Sequence, residues 1–280
     1  MRRPASWTRL FPLAAMALSL ALAADRPPRI WILPFEHLQP DPPLDYLREA
    51  LPALLAVAVS RSEGYTLVDR QHLDHLLAEQ SLTLEGLTSS ETRLRIGGLL
   101  GANMMISGSF VRHGEELLIG MSASDLETGI ISATAEGRGP VSQPGQLVNK
   151  LYRQLARDLD QRLPVLAPDQ IDEAPAGNLH FVKGLGHFYS ARYSQALAEF
   201  ILASGDKALS GLSRLWLANA YMAQRQYSHA YLELIRPADG ALTSPLEKEI
   251  AARKRECEQR LSPEDVKTIR QLAVHPAPPK

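Results

Sequence analysis

The chain has 280 residues, a formal net charge of −1, 45% hydrophobic and 22% charged residues, 18 Gly, 20 Pro and one Cys. This length allows one large or two small domains with ordinary cores, and the composition excludes a disordered chain, a collagen and a polytopic membrane protein. It also lacks the basic excess of a dedicated nucleic-acid binder, and a lone Cys257 cannot close an intramolecular disulfide, so packing must hold the fold.

Arg2, Arg3 and Arg9 precede an apolar run at 10–23, and Ala21-Leu22-Ala23 offers the small residues that a signal peptidase reads. A signal peptide over residues 1–23, cut after Ala23, is the expectation, because the run is shorter than the roughly twenty residues that span a bilayer. No Cys stands near the cut, so no lipid anchor is expected there. Removing the leader leaves 27 basic and 31 acidic residues, a formal −4. Export to the periplasm, with at most peripheral association with the outer membrane, is the expected localisation.

Residues 29–35, with Ile30, Trp31, Ile32 and Leu33, predict a buried strand stopped near Pro34, and 37–43 a polar, Pro-rich loop. Leu47, Leu51, Leu54, Leu55 and Ala58 share one helical face. Pro52 within that stripe means either a helix starting near Ala50 or a kinked one. Glu63-Gly64 is a turn, 65–68 a second strand, and Asp69 a cap for a helix carrying Leu73, Leu76 and Leu77. Ser89 or Ser90 caps a third helix, which Gly101 ends. From 104 the period becomes that of strands: 104–111, 117–124 and 130–136, with turns at 113–116 and 127–129, make an antiparallel meander. A helix with Leu147, Leu151, Leu155 and Leu159 on one face follows, then a Pro-rich linker at 164–176.

Beyond it the chain is helical and repeats. Gly184, Tyr193, Ala196, Phe200 and Ala203 recur thirty-four positions later as Ala218, Tyr227, Ala230, Leu234 and Pro237. Thirty-four residues is the tetratricopeptide (TPR) period, in which each unit is a helical hairpin. Two hairpins bury little, so 245–261 and the piece after Pro263 are expected to cap them. The expected organisation is an α/β domain at 24–163, a mixed sheet with packed helices, a linker at 164–176, all-α TPR-like hairpins with a capping helix at 177–261, and a helical piece with a frayed tail at 262–280.

Ile32-Leu33-Pro34-Phe35, Leu67-Val68-Asp69-Arg70, Leu73, Leu77, Glu79-Gln80, Gly97 with Leu99-Leu100-Gly101-Ala102, Ile106-Ser107-Gly108-Ser109 and Asp125 through Glu127-Thr128-Gly129 resemble the CsgG family. That family includes the curli secretion channel and is similar in fold to the amino-terminal domain of TolB and to activator lipoproteins of penicillin-binding proteins. The resemblance covers roughly 29–140, in order. It implies an α/β envelope module. The channel's long membrane hairpins have no room here, since each such strand needs about nine to eleven residues and the meander's connections are tight. Only the soluble module is therefore expected.

Several clusters have ordinary explanations. His72, His75 and Glu79 fall at i, i+3 and i+7, on one helical face opposite Leu73, Leu76 and Leu77, but the spacing supplies no fourth ligand and a solvated face looks the same, so no metal or other cofactor is expected. Asp69 and Arg70 fit a cap and an ion pair, because a guanidinium beside a carboxylate lowers its pKa and unsuits it for acid catalysis. Gly97, Gly98 and Gly101 end a helix, where a phosphate loop would need to open one. Glu256 and Glu258 beside Cys257 blunt its thiol. No catalytic motif stands out, and no enzyme is expected. In TPR proteins the first helix of each hairpin lines a groove, which by resemblance places Phe181, Leu185, Phe188, Leu215, Asn219 and Met222 near a protein-binding face. The expected role is a non-enzymatic envelope adaptor or assembly protein that engages envelope or secretion-machinery proteins and no nucleic acid. The alternative is a structural component whose α/β domain self-associates into a ring.

Overall fold

The structure, a computed structural model, describes residues 28–60, 65–68, 70–79, 89–159, 173–237 and 242–274. Its first part is a mixed sheet of β1 (Arg29–Ile32), β2 (Glu36–His37), β3 (Thr66–Leu67), β4 (Met104–His113), β5 (Glu116–Asp125) and β6 (Ile131–Pro140), in the order β3-β1-β4-β5-β6. β1 runs parallel to β3 and β4, and β4, β5 and β6 form the antiparallel meander. The single strand expected at 29–35 is divided. β1 stops at Ile32, Pro34 and Phe35 step out of the sheet, and the chain re-enters as β2 with Glu36 opposite Ser109. His37 therefore lies in a strand, where the sequence suggested a loop; its ring stacks on Phe110 with centroids 4.4 Å apart, and its Nδ1 is 2.9 Å from Asp45 Oδ1.

The next helix, α1 (Leu47–Val59), starts a turn earlier than an Ala50 start would place it and keeps Pro52 inside. Proline has no N–H for the carbonyl four residues back. That carbonyl, on Arg48, accepts instead from Phe35 N at 2.9 Å, so the helical defect becomes the joint that holds the β1–β2 crossing. Phe35 then lies over Gly108: a Cβ there would fall 2.5 Å from the Phe35 ring.

α2 (Arg70–Glu79) and α3 (Ser90–Leu99) cover part of one sheet face, packing Leu73, Leu77, Ile96 and Leu100 against Trp31, Leu33 and Met105. Ser89 caps α3 by accepting from Thr92 N at 3.1 Å, and Gly101, at φ +63°, ends it. Gly97 lies against Leu126, 2.7 Å from where a Cβ would stand. The Glu63-Gly64 turn and the Asp69 cap lie outside the described residues. In the meander, Asp125 Oδ1 accepts from the Glu127 and Thr128 amides, both at 2.9 Å. Such a side-chain-to-backbone bond fixes the β5–β6 turn.

The other sheet face is covered by α1 and α4 (Pro144–Asp158), whose Leu147, Val148, Leu151, Tyr152 and Leu155 meet Ile106, Phe110, Ile119 and Met121. Beyond α4 the elements among the described residues are all helices: α5 (Glu173–Gly177), α6 (Leu179–Tyr189), α7 (Tyr193–Ala203), α8 (Ser210–Ala223), α9 (Tyr227–Ile235), α10 (Ser244–Glu258) and α11 (Pro263–Val274). The fold is thus a mixed α/β sheet with packed helices followed by a helical region. At the end of the expected linker, Ala176 in α5 is buried beside Gly145 of α4.

The thirty-four-residue shift recurs in the backbone. Ala191 and Arg225 both adopt positive φ, +57° and +60°. The amides after them bond back alike: Arg192 N to His187 O at 2.8 Å, Gln226 N to Tyr221 O at 2.9 Å. Gly184, 2.5 Å from the Phe200 ring at its would-be Cβ, admits that ring between α6 and α7, and Ala218 and Leu234 hold the matching places in the second pair.

These helices are not tethered at a distance from the sheet. α6 packs along α1, and Phe181, Val182, Leu185 and Phe200 belong to the same apolar cluster as Leu47, Leu51 and Ile106. At the contact, Gly186 has no room for a side chain, because a Cβ would overlap the Tyr46 carbonyl.

Candidate functional site

Two surfaces are built well enough to act. The first is the part of the sheet that α2 and α3 leave uncovered. Strand alternation and register align Ser107, Ser122 and Thr134 across β4, β5 and β6, and beside them Ser109, Gly120 and Glu136. These six residues floor an open concavity of about 880 Å³, bordered by Arg93 of α3, by Glu36, and by Arg48 and Glu49 of α1. Ser107 and Ser122 hydrogen-bond each other through their hydroxyls at 2.9 Å. A floor of small hydroxyls with charged walls presents hydrogen-bonding groups to a polar surface. Sequence reading missed this row because serines in a strand carry no periodic signal; only register brings them side by side.

The second surface is the helical array, where the expected groove residues separate into two sets. Phe181, Leu185 and Leu215 are buried, the first two in the core shared with α1 and the third against α9 and its neighbours, so they present no surface to a partner. Phe188, Asn219 and Met222 are half-buried. Phe188 sits at the hub of an aromatic cluster, with ring centroids 5.3 Å from Tyr189, 5.6 Å from Tyr193 and 5.2 Å from Trp216. Trp216 also stacks on Phe200. Tyr189, Tyr193 and Trp216 were absent from the sequence-based set, although their aromatic character was the available signal.

Electrostatics differ between the ends of the array. At the sheet end, burial and the nearby Arg192 hold the His187 pKa below its ordinary value, and burial, with Glu199 adding, pushes Tyr46 up to about 12. At the far end, Tyr231 donates to Glu258 Oε1 at 2.6 Å, while Arg270 reaches the Tyr231 hydroxyl at 2.9 Å and Glu258 at 2.8 Å. This clasp ties α9, α10 and α11 together. The Tyr231 hydrogen bond is the main cause of a lowered Glu258 pKa. Burial first, then Glu256, pushes the Cys257 thiol up to about 11, which keeps it protonated at neutral pH. The side chains of His72 and His75 lie outside the described residues, and among those described no cluster of three or more His, Cys, Asp or Glu could hold a metal ion.

With this geometry in place, comparison with known proteins adds a family likeness. The family described as "Curli production assembly/transport component CsgG" matches residues 45–122, which run from the start of α1 to within β5. The α/β part is a CsgG-like domain. Among solved structures, the LpoB C-terminal domain from Salmonella enterica is similar at 19% identity over 44% of this chain and 92% of that one, with a TM-score of 0.33. Lipoprotein GNA1162 from Neisseria meningitidis matches at 14% identity over 48% and 99%, TM-score 0.37. A PelC dodecamer from Paraburkholderia phytofirmans matches at 14% identity over 49% and 91%, TM-score 0.26. No curated protein matches the chain. No helix among the described residues is long and apolar enough to cross a membrane.

Proposed function

We propose that this protein is a non-enzymatic adaptor of the cell envelope, in which a CsgG-like domain carries a short TPR-type array that binds a protein partner. The domain limits proposed are a leader at 1–23, the α/β domain to 163, and the helical module from 177. The observation that carries this reading is the shared core of α1 and α6, which makes the sheet domain the first layer of the helical stack and fixes the array rigidly to it. A two-hairpin array is too short to stand alone, and here one end is closed by the domain itself. Phe188, Asn219 and Met222 are half-buried and so leave part of their surface open on a rigid support, which suits a peptide or helix partner.

The experiment has two readouts. Mass spectrometry of the exported protein should find a chain beginning at Ala24. A photo-crosslinking residue at Asn219 or Met222 should trap one discrete envelope protein, whereas the same residue at exposed Lys248 of α10 should trap none. A protein retained in the cytoplasm, or identical crosslinks from all three positions, would overturn the reading.

A further inference from the structure

Among the described residues the outer edge of β6 is an unpaired ladder, and its charges fit a second copy of itself. Val141 N bonds to Glu115 O at 3.0 Å, which makes Glu116 and Pro140 a non-hydrogen-bonded pair and sets the phase of the whole β5–β6 ladder. By alternation Gly139, Gly137 and Ala135 bond inward to β5, and Thr134, Glu136 and Arg138 turn their backbone N–H and C=O groups outward. Among the described residues β6 ends the strand order, and the side chains of Thr134, Glu136 and Arg138 are exposed. α4 lies on one face of the strand, with Leu147 and Leu151 against Gly137 and Gly139.

Exposed charges usually blunt such an edge. Here they select one register. We propose that two copies of the chain pair β6 to β6, antiparallel about a two-fold axis through Gly137, to form one continuous sheet. In that register Glu136 faces the other copy's Arg138 twice over, with reciprocal backbone hydrogen bonds at both pairs, and Thr134 N–H meets the far Pro140 carbonyl. A slip of two residues one way sets Glu136 against Glu136, and the other way sets Arg138 against Arg138. The contact is isologous and closed, which distinguishes it from the head-to-tail contact that builds a ring. Within one chain Arg138 reaches Glu116 of β5 at 3.4 Å, so its guanidinium leans inward from the edge and exchanges that partner for the other copy's Glu136 on pairing.

Sedimentation of the chain lacking its leader, at tens of micromolar and low salt, tests this. The wild type should be a dimer. Glu136→Arg and Arg138→Glu should each weaken it by about ten-fold or more, since each sets like charges opposite one another across the axis, and the double variant E136R/R138E should regain it. Glu116→Gln should leave the dimer intact, and circular dichroism should find all variants folded. A monomeric or ring-forming wild type, a dimer insensitive to either single reversal, or a double variant that stays monomeric would overturn the proposal. None of these outcomes bears on the adaptor reading, which rests on export and on crosslinks from the array.

Discussion

The helical array is closed at both ends by different physics. At the sheet end the closure is dry: α6 lies on α1, Gly186 fits under the Tyr46 carbonyl, and Phe181 and Leu185 are lost in a core that continues to the sheet. At the far end it is wet, a three-residue clasp of Tyr231, Glu258 and Arg270 over a small cluster that includes Ile250, Cys257 and Ile269. An apolar joint draws its strength from buried area and close fit. A surface clasp is screened by water and salt and contributes mainly by fixing orientation. The sheet end is therefore expected to be the stronger joint and the far end the first to open.

The strongest way to break the contrast is Gly186→Val. The new side chain has nowhere to go against backbone, and overpacking of this kind should cost about 1–3 kcal/mol or more, read as a lower denaturation midpoint for the whole protein. Removing the clasp should do less. Tyr231→Phe deletes a hydroxyl with two partners, so a loss of about 1 kcal/mol is expected, and hydrogen exchange should place it in α9, α10 and α11 while α1 and α6 keep their protection. An equal effect throughout would mean that both ends are welded alike.

Acid separates the two ends further. His187 has its folded pKa below the ordinary 6.5, so the unfolded chain takes up its proton first as pH falls. Its contribution is complete above 6.5 and is lost below that value, which weakens the sheet end. Glu258 has its folded pKa below the ordinary 4.5, so its contribution persists above 4.5 and fades only at lower pH. Stability measured from about pH 7.5 down to about 5.5 should fall in the wild type and fall less in His187→Gln, with the clasp unaffected over that range.

Much of the architecture was legible because it is local. Ser89 and Gly101 bound α3 by cap and positive φ, Asp125 and Gly129 make the turn that their types imply, and the thirty-four-residue shift reappears in the φ of Ala191 and Arg225. Gly97 and Gly108, noted for family likeness, are explained by Leu126 and Phe35 lying on them. What could not be read was tertiary. The role of Pro52 depends on Phe35 finding the carbonyl that it frees, and the burial of Phe181 and Leu185 depends on α1 arriving from another part of the chain. The serine row of the open sheet face exists only through register.

The central claim is that the sheet domain and the first hairpins fold as one unit. Residues 24–280 hold two tryptophans, Trp31 in β1 and Trp216 in α8, both buried, one in each region. Denaturant unfolding followed by fluorescence in Trp31→Phe and in Trp216→Phe isolates each reporter. The account predicts coincident transitions with the same midpoint and slope, whereas two separated transitions, the helices melting while the sheet stays folded, would contradict it.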